Sequence, residues 1–258
     1  MDFVYPVAGA FTGFIVGLTG VGGGALMTPI LLLIFGVAPT TAVATDLWFA
    51  TITKLAALII HYREQKVEWQ IVQRLWLGSL PMASLMVFAL LSGFFTAISS
   101  RFLTDIIGFT ILLTALGLFI KHRLTLNLNN VIANREQIKR WQKPLTILGG
   151  ATLGVLVTLT SIGAGALGSV MFLYLYPVRL TPDKLVGTDI AHAIPLALLA
   201  GLAYLIAGHV NCHLLVSLLL GSIPAALLGS AVATRFSHSK LRFCLVAILS
   251  ISGLKLMM

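Results

Sequence analysis

Leu18-Thr19-Gly20-Val21-Gly22-Gly23-Gly24-Ala25-Leu26 lies between two apolar runs and places four glycines in the five positions 20–24. An interior glycine costs a helix about 1 kcal/mol against alanine, so a helix arriving from the N-terminal side is expected to stop here. The stretch returns as Leu159-Thr160-Ser161-Ile162-Gly163-Ala164-Gly165-Ala166-Leu167, and the pattern Gly-x-Gly-Ala-Leu occupies both 22–26 and 163–167. The chain is organised around these two breaks.

Composition sets the class. Of 258 residues, 58% are hydrophobic and only 10% charged, with a mean hydropathy of +1.01. A soluble domain carries about 25% charged residues, so there is too little polar surface here for a water-soluble globule. The chain reads as an all-α polytopic membrane protein with the lipid bilayer as its solvent. The net charge of +9 suits the loop lysines and arginines that orient membrane proteins better than a nucleic-acid surface. Residues 1–20 contain Asp2 and no Lys or Arg, which is not the basic start of a cleaved signal peptide. The first apolar segment is therefore expected to stay. Cys212 and Cys244 make neither a disulfide framework nor a metal cluster and are read as packing residues. His209 and His213 flank Cys212 without a carboxylate or further ligand, so no metal and no cofactor is expected.

Ten apolar runs follow in order: 3–19, 25–37, 41–61, 72–95, 102–120, 145–160, 166–177, 185–207, 214–233 and 241–257. The second and seventh are too short for the roughly 20 residues a helical span needs. The pairs 1–2 and 6–7 are thus either tight crossings or re-entrant hairpins with glycine tips near the midplane, giving eight to ten spans. In either case fourteen of the seventeen Lys and Arg fall on one side, only Arg101 and Lys255 on the other, and Lys54 within the third run. That asymmetry predicts both termini outside and the polar stretch 121–143 in the cytoplasm. Within that stretch Glu136 and Arg140 are spaced to pair on a short helix, and Trp141 suits an interfacial anchor.

The repeat extends past the glycines. Pro39, Thr45 and Asp46 match Pro182, Thr188 and Asp189, and Gly78-Ser79-Leu80-Pro81 matches Gly221-Ser222-Ile223-Pro224, all at an offset of 143 against 141 for the hairpin. Residues 1–120 and 144–258 are therefore read as two repeats joined by 121–143. Five runs per half is odd, so the second copy enters from the opposite side and the repeats are inverted. Inverted repeats with interrupted helices are the architecture of secondary transporters, with substrate held near the midplane. Broken helices also free backbone N–H groups at a positive dipole end, which suits an anion.

The motif running from Gly20 to Pro29, its echo at 161–170 and the paired Gly-x-x-Pro motifs resemble the sulfite exporter TauE/SafE family of membrane permeases, over nearly the whole chain. The resemblance implies movement of sulfite, organosulfonates and related small anions, often outward, across a bacterial inner membrane. The second motif departs from the pattern, with Ala164 in place of a glycine and Val170 in place of the proline at 29.

The substrate-binding candidates are Thr19, Gly20, Gly22, Gly23 and Gly24 at the first break and Thr160, Ser161, Gly163 and Gly165 at the second, with Lys54 as the cation. Ionisable groups inside apolar runs are functional candidates by default. Asp46, Asp189 and His192 are the coupling or gating candidates, with protons as a candidate coupling ion. Asp46 and Lys54 are eight residues apart on one face; Asp189 and His192 are at i, i+3 and can meet. Two alternatives stand beside the transporter. An intramembrane aspartyl protease would use Asp46 and Asp189, though Ala-Thr-Asp and Gly-Thr-Asp lack the Gly-x-Gly-Asp motif of such enzymes. An anion channel is the other. The preferred expectation is a carrier, not an enzyme.

Overall fold

The computed structural model describes residues 3–19, 24–63, 65–93, 100–126, 135–232 and 238–258. Among them are ten helices: α1 Val4–Thr19, α2 Gly24–Leu33, α3 Pro39–Arg63, α4 Trp69–Leu91, α5 Ser100–Leu126, α6 Arg135–Thr160, α7 Ala164–Leu175, α8 Pro182–Ile206, α9 Cys212–Val232 and α10 His238–Met257. No strand occurs among the described residues. Each apolar run corresponds to one helix, α6 and α7 are parted at 161–163, and residues 20–23 between α1 and α2 lie outside the described residues. Among the described residues, five helices are long and apolar enough to cross a membrane, α4, α5, α6, α8 and α9. The sixth run gains its length by continuing backward through polar sequence, so the span Arg140–Thr160 reaches 21 residues. Of the 121–143 stretch, only 127–134 lies outside the described residues.

The distribution of side chains is that of a protein in lipid. Leu77, Phe88, Leu148, Leu220, Leu228 and Phe243 are exposed, while Thr45, Asp46, Ser79, Thr188, Asp189 and His192 are buried. Water would select the reverse order. Cys212 and Cys244 are exposed, which corrects their reading as packing residues: Cys212 opens α9 and Cys244 lies on the outward side of α10. Trp141 is exposed as an anchor requires. Asp105 is part exposed and pairs with Arg101 at 3.3 Å.

Two close helix pairs join segments far apart in the chain. Helix α1 lies along α9 so closely that a Cβ on Gly9 would strike the Leu218 carbonyl, and one on Gly13 would strike that of Ser222. Helix α6 lies along α4 in the same way, with Gly150 against the Leu75 carbonyl and Gly154 against that of Ser79. Gly9 and Gly150, like Gly13 and Gly154, differ by 141, and Leu75 and Leu218, like Ser79 and Ser222, by 143. Gly78 against Ile147 has its counterpart in Gly221 against Pro6. These contacts are one interface made twice. They are the small-residue packing that lets membrane helices touch backbone to backbone.

Both broken pairs fold back on themselves. The Tyr5 and Phe35 rings lie 4.9 Å apart, bringing the start of α1 to the end of α2. Gln142 Nε2 donates to the Leu175 carbonyl at 2.6 Å, and the Thr146 and Tyr176 hydroxyls are 2.8 Å apart, closing α6 on α7. With 10 and 12 residues, α2 and α7 extend only about 15 and 18 Å in a hydrocarbon core of about 30 Å.

Charges gather at one end of the bundle. Glu68, just before α4, binds Lys184 at 2.7 Å and Arg179 at 3.0 Å. Gln70 Oε1 accepts from Arg179 at 2.9 Å. The Lys184 and Arg179 bonds hold the Glu68 carboxyl below its usual range. The expected grouping of Lys184 and Arg179 with the α3–α4 loop is thus seen directly. At the far end of α4's length, Arg101 donates to the Met257 carbonyl at 3.0 Å.

Candidate functional site at the second helix break

Helices α3 and α8 run through the middle and carry the buried charges. In α8, 67% of the spanning window is buried, against 22% in α4. Lys54 on α3 reaches across to Asp189 on α8, Nζ to Oδ2 at 4.0 Å, with the two side chains 11% and 7% exposed. The Lys54 charge also lies within electrostatic reach of Asp46 and His192. Asp189 Oδ1 faces α7 where that helix has Gly168: a Cβ there would lie 2.9 Å from it. No hydrogen bond is made to that oxygen among the described residues.

Asp46 is fully buried two turns earlier on α3. Thr28 Oγ1, one turn into α2, donates to its Oδ2 at 2.5 Å. The Ser161 hydroxyl lies beside the same carboxylate. Neither Ser161 Oγ nor Asp46 Oδ1 has a hydrogen-bond partner among the described residues.

The break itself has a definite shape. Ser161 follows the last residue of α6 at φ +60°, a left-handed conformation uncommon for a residue with a side chain. Thr160 Oγ1 donates to the Leu156 carbonyl at 2.7 Å and accepts from Ile162 N–H at 3.2 Å, pinning the turn. Gly163 caps α7 at φ +117°, which glycine alone adopts without strain. Its carbonyl accepts from Leu167 N–H at 3.0 Å. The first N–H groups of α7, at Ala164, Gly165 and Ala166, have no acceptor within the helix. The break therefore joins a negative end, the last carbonyls of α6, to a positive end, the first amides of α7.

Of the coupling candidates, His192 departs from expectation. No hydrogen bond joins it to Asp189. Its Nε2 lies 3.0 Å from the Ser79 hydroxyl on α4, and Nδ1 has no partner among the described residues. Helical spacing allowed the contact with Asp189, but tertiary packing against α4 decided it. Trp76 on the same helix donates to the His192 carbonyl at 3.3 Å. The two carboxylates are not hydrogen-bonded to each other either, each having partners of its own.

Gly20, Gly22 and Gly23 lie outside the described residues, and of Thr19 and Gly24 the described part is backbone, closing α1 and opening α2. Sequence reasoning missed Thr28 and Ser79 as partners. The repeat held a signal for the first, since Thr28 and Ser169 differ by 141 and each stands one turn into a short helix. Ser169 bonds its own helix, donating to the Gly165 carbonyl at 2.5 Å. An apolar groove of about 570 Å³ between α5, α6 and α7, lined by Leu113, Leu156, Leu167 and Met171 among others, carries no charged lining residue. Among the described residues no three His, Cys, Asp or Glu converge as a metal site would require.

The comparisons with known proteins agree with this architecture. The family model described as sulfite exporter TauE/SafE matches residues 5–256. The probable membrane transporter protein YjnA of Bacillus subtilis is 40% identical over 251 residues, covering 96% of each chain. The probable membrane transporter protein YdhB of the same organism is 28% identical, covering 95% of this chain and 96% of its own. The probable membrane transporter protein MJ0441 of Methanocaldococcus jannaschii is 28% identical, covering 94% and 91%. No solved structure gives a significant match. A buried polar seam inside a lipid-facing helical bundle, together with a family match over nearly its whole length, places this chain in the sulfite exporter TauE/SafE family, as a multi-pass membrane transporter.

Proposed function

We propose that the chain is a secondary carrier that moves a small sulfur-containing anion, sulfite or an organosulfonate, outward across the cell inner membrane. Its two halves rock about the α3–α8 seam and expose the site to one face and then the other. The 121–143 segment lies in the cytoplasm and both termini outside. The observation that carries this reading is Lys54, a buried cation held only at 4.0 Å by Asp189. An arriving oxyanion can take the place of that carboxylate without leaving the lysine bare. The free amides of α7 supply further donors to it.

The test is a proteoliposome uptake panel of labelled sulfite, sulfate, thiosulfate and organosulfonates, with and without a pH gradient. Saturable flux coupled to a gradient is expected, whereas ohmic current would make the protein a channel. Gly163→Leu should abolish flux while leaving membrane insertion intact, because a side chain at φ +117° deforms the break. Normal transport in that variant removes the break from the site.

A further inference from the structure

Asp46 is a fully buried carboxylate on α3, and among the described residues it has no ion-pair partner. A charge at such depth is retained only when something neutralises it. The repeat shows what is missing. Lys54 of the first half supplies the cation for Asp189 of the second. The equivalent of Lys54 at an offset of 143 is residue 197, which would stand toward Asp46, and it is Ala197. One carboxylate of the pair has a cation in contact; the other feels the Lys54 charge only from a distance and makes no ion pair with it.

What surrounds Asp46 is oxygen. Its Oδ2 accepts from Thr28, its Oδ1 has no well-aligned hydrogen bond among the described residues, and the buried Ser161 hydroxyl lies within bonding reach of the same carboxylate. Ser161 is held there in a left-handed conformation, just past the point where α6 ends at Thr160. The last carbonyls of that helix present its negative pole at the same place. A carboxylate and a helix C-terminus repel an anion, and the two hydroxyls offer lone pairs as well as protons. Oxygen-only donors suit a hard cation rather than a soft one. A single carboxylate balances a single positive charge, and interrupted helices of inverted-repeat carriers coordinate sodium through such ends.

We infer that Asp46, Ser161 and Thr28 form a sodium site, so that the ion does for Asp46 what Lys54 does for Asp189. The inference rests on the carrier reading above and names its coupling ion. It also divides the second break by sign: the cation at the α6 end, the anion at the α7 end. The mirrored position of Ser161 is residue 20, a glycine without a hydroxyl. The sodium site is therefore single although the fold is doubled.

The experiment is equilibrium binding of radioactive sodium to the purified full-length protein in detergent, with no anion substrate present, so that a wrong substrate assignment leaves it untouched. Saturable binding displaced by NaCl and not by choline chloride is expected. Asp46→Asn should abolish it, and Ser161→Ala should weaken it about tenfold, the loss of one oxygen contact to a charged group. Asp105→Asn, at the exposed end of α5, should leave it unchanged. Ala197→Lys should abolish the sodium requirement by supplying the absent ammonium. Each variant is checked for monodispersity, and sodium should raise the thermal midpoint of the wild type but not of Asp46→Asn. Absence of saturable binding in the wild type overturns the site, as does binding that survives Asp46→Asn. Flux that follows a pH gradient and ignores sodium assigns Asp46 to a proton and overturns it equally.

Discussion

Lys54 and Asp189 are a buried pair whose atoms stand at the outer limit of contact, 4.0 Å. Breaking one partner out of a buried pair typically costs about 3–5 kcal/mol, because the other charge is left bare. Lys54→Ala should therefore weaken both folding and anion uptake, the latter about tenfold or more, while Lys255→Ala should alter neither. Initial rates of labelled-anion uptake check this. The double variant Lys54→Ala/Asp189→Asn separates the two effects: stability should return and transport should not. Equal rates for the Lys54 and Lys255 variants would remove Lys54 from the mechanism. The four ionisable residues of the apolar runs were legible from sequence because a charge in lipid is conspicuous. Their partners were not. Thr28 and Ser79 are ordinary hydroxyl residues for a membrane helix, where most bond their own backbone, as Thr53 does to the Phe49 carbonyl at 2.8 Å. Only tertiary placement turns a few of them toward a neighbour. His192 shows the same limit, since its spacing favoured Asp189 and the neighbouring helix supplied Ser79 instead.

At the scale of helices, the breaks were readable and the packing was only half so. Helix α1 closes at Thr19 and α2 opens at Gly24, with Gly20, Gly22 and Gly23 outside the described residues, while α6 and α7 part at 161–163 as expected. The true length of α6 was hidden, because hydropathy falls away at residue 143 while the helix continues back to Arg135. A helix leaving the membrane keeps its backbone bonds whatever its side chains, so composition marks the lipid boundary and not the helix end. The other glycines, Gly9, Gly13, Gly150 and Gly154, serve contact rather than flexibility. A Cβ at Gly150 would lie 2.5 Å from the Leu75 carbonyl, so the two helices would have to part. Gly150→Ala should lower stability by about 1–3 kcal/mol, the range for overpacking a tight interface. Leu148→Ala, on the exposed side of the same helix, should change it little. Thermal unfolding in detergent, followed by tryptophan fluorescence, checks the pair; a larger effect at Leu148 would put the interface elsewhere.

For the whole molecule, the Glu68 cluster ties the loop between α3 and α4 to the loop between α7 and α8, one from each half. The position equivalent to Glu68 is Asn211, which accepts from Leu214 N–H of its own helix. The cluster therefore has no mirror image there. Its cations are part exposed, so the cluster contributes no more than about 1 kcal/mol. Lys184 and Arg179 favour the charged carboxylate, so its stabilisation is complete above the ordinary glutamate value and fades as pH falls through the lowered one. Glu68→Gln should thus lower the thermal midpoint by a similar amount throughout the neutral range, with the gap closing only in acid. A gap that widens on acidification would contradict the arrangement. The matched Pro, Asp and Gly-Ser-x-Pro positions gave no sign that α1 would pack along α9 and α6 along α4. The α1–α9 pairing matters most while the protein is being made. Gly9 finishes against Leu218, some 209 residues later in the chain, and at about 5–20 residues per second the ribosome needs roughly 10–40 s to deliver it. Until then the first helix sits in the bilayer with its glycine face bare, a surface that any other small-faced helix of a newborn membrane protein could claim.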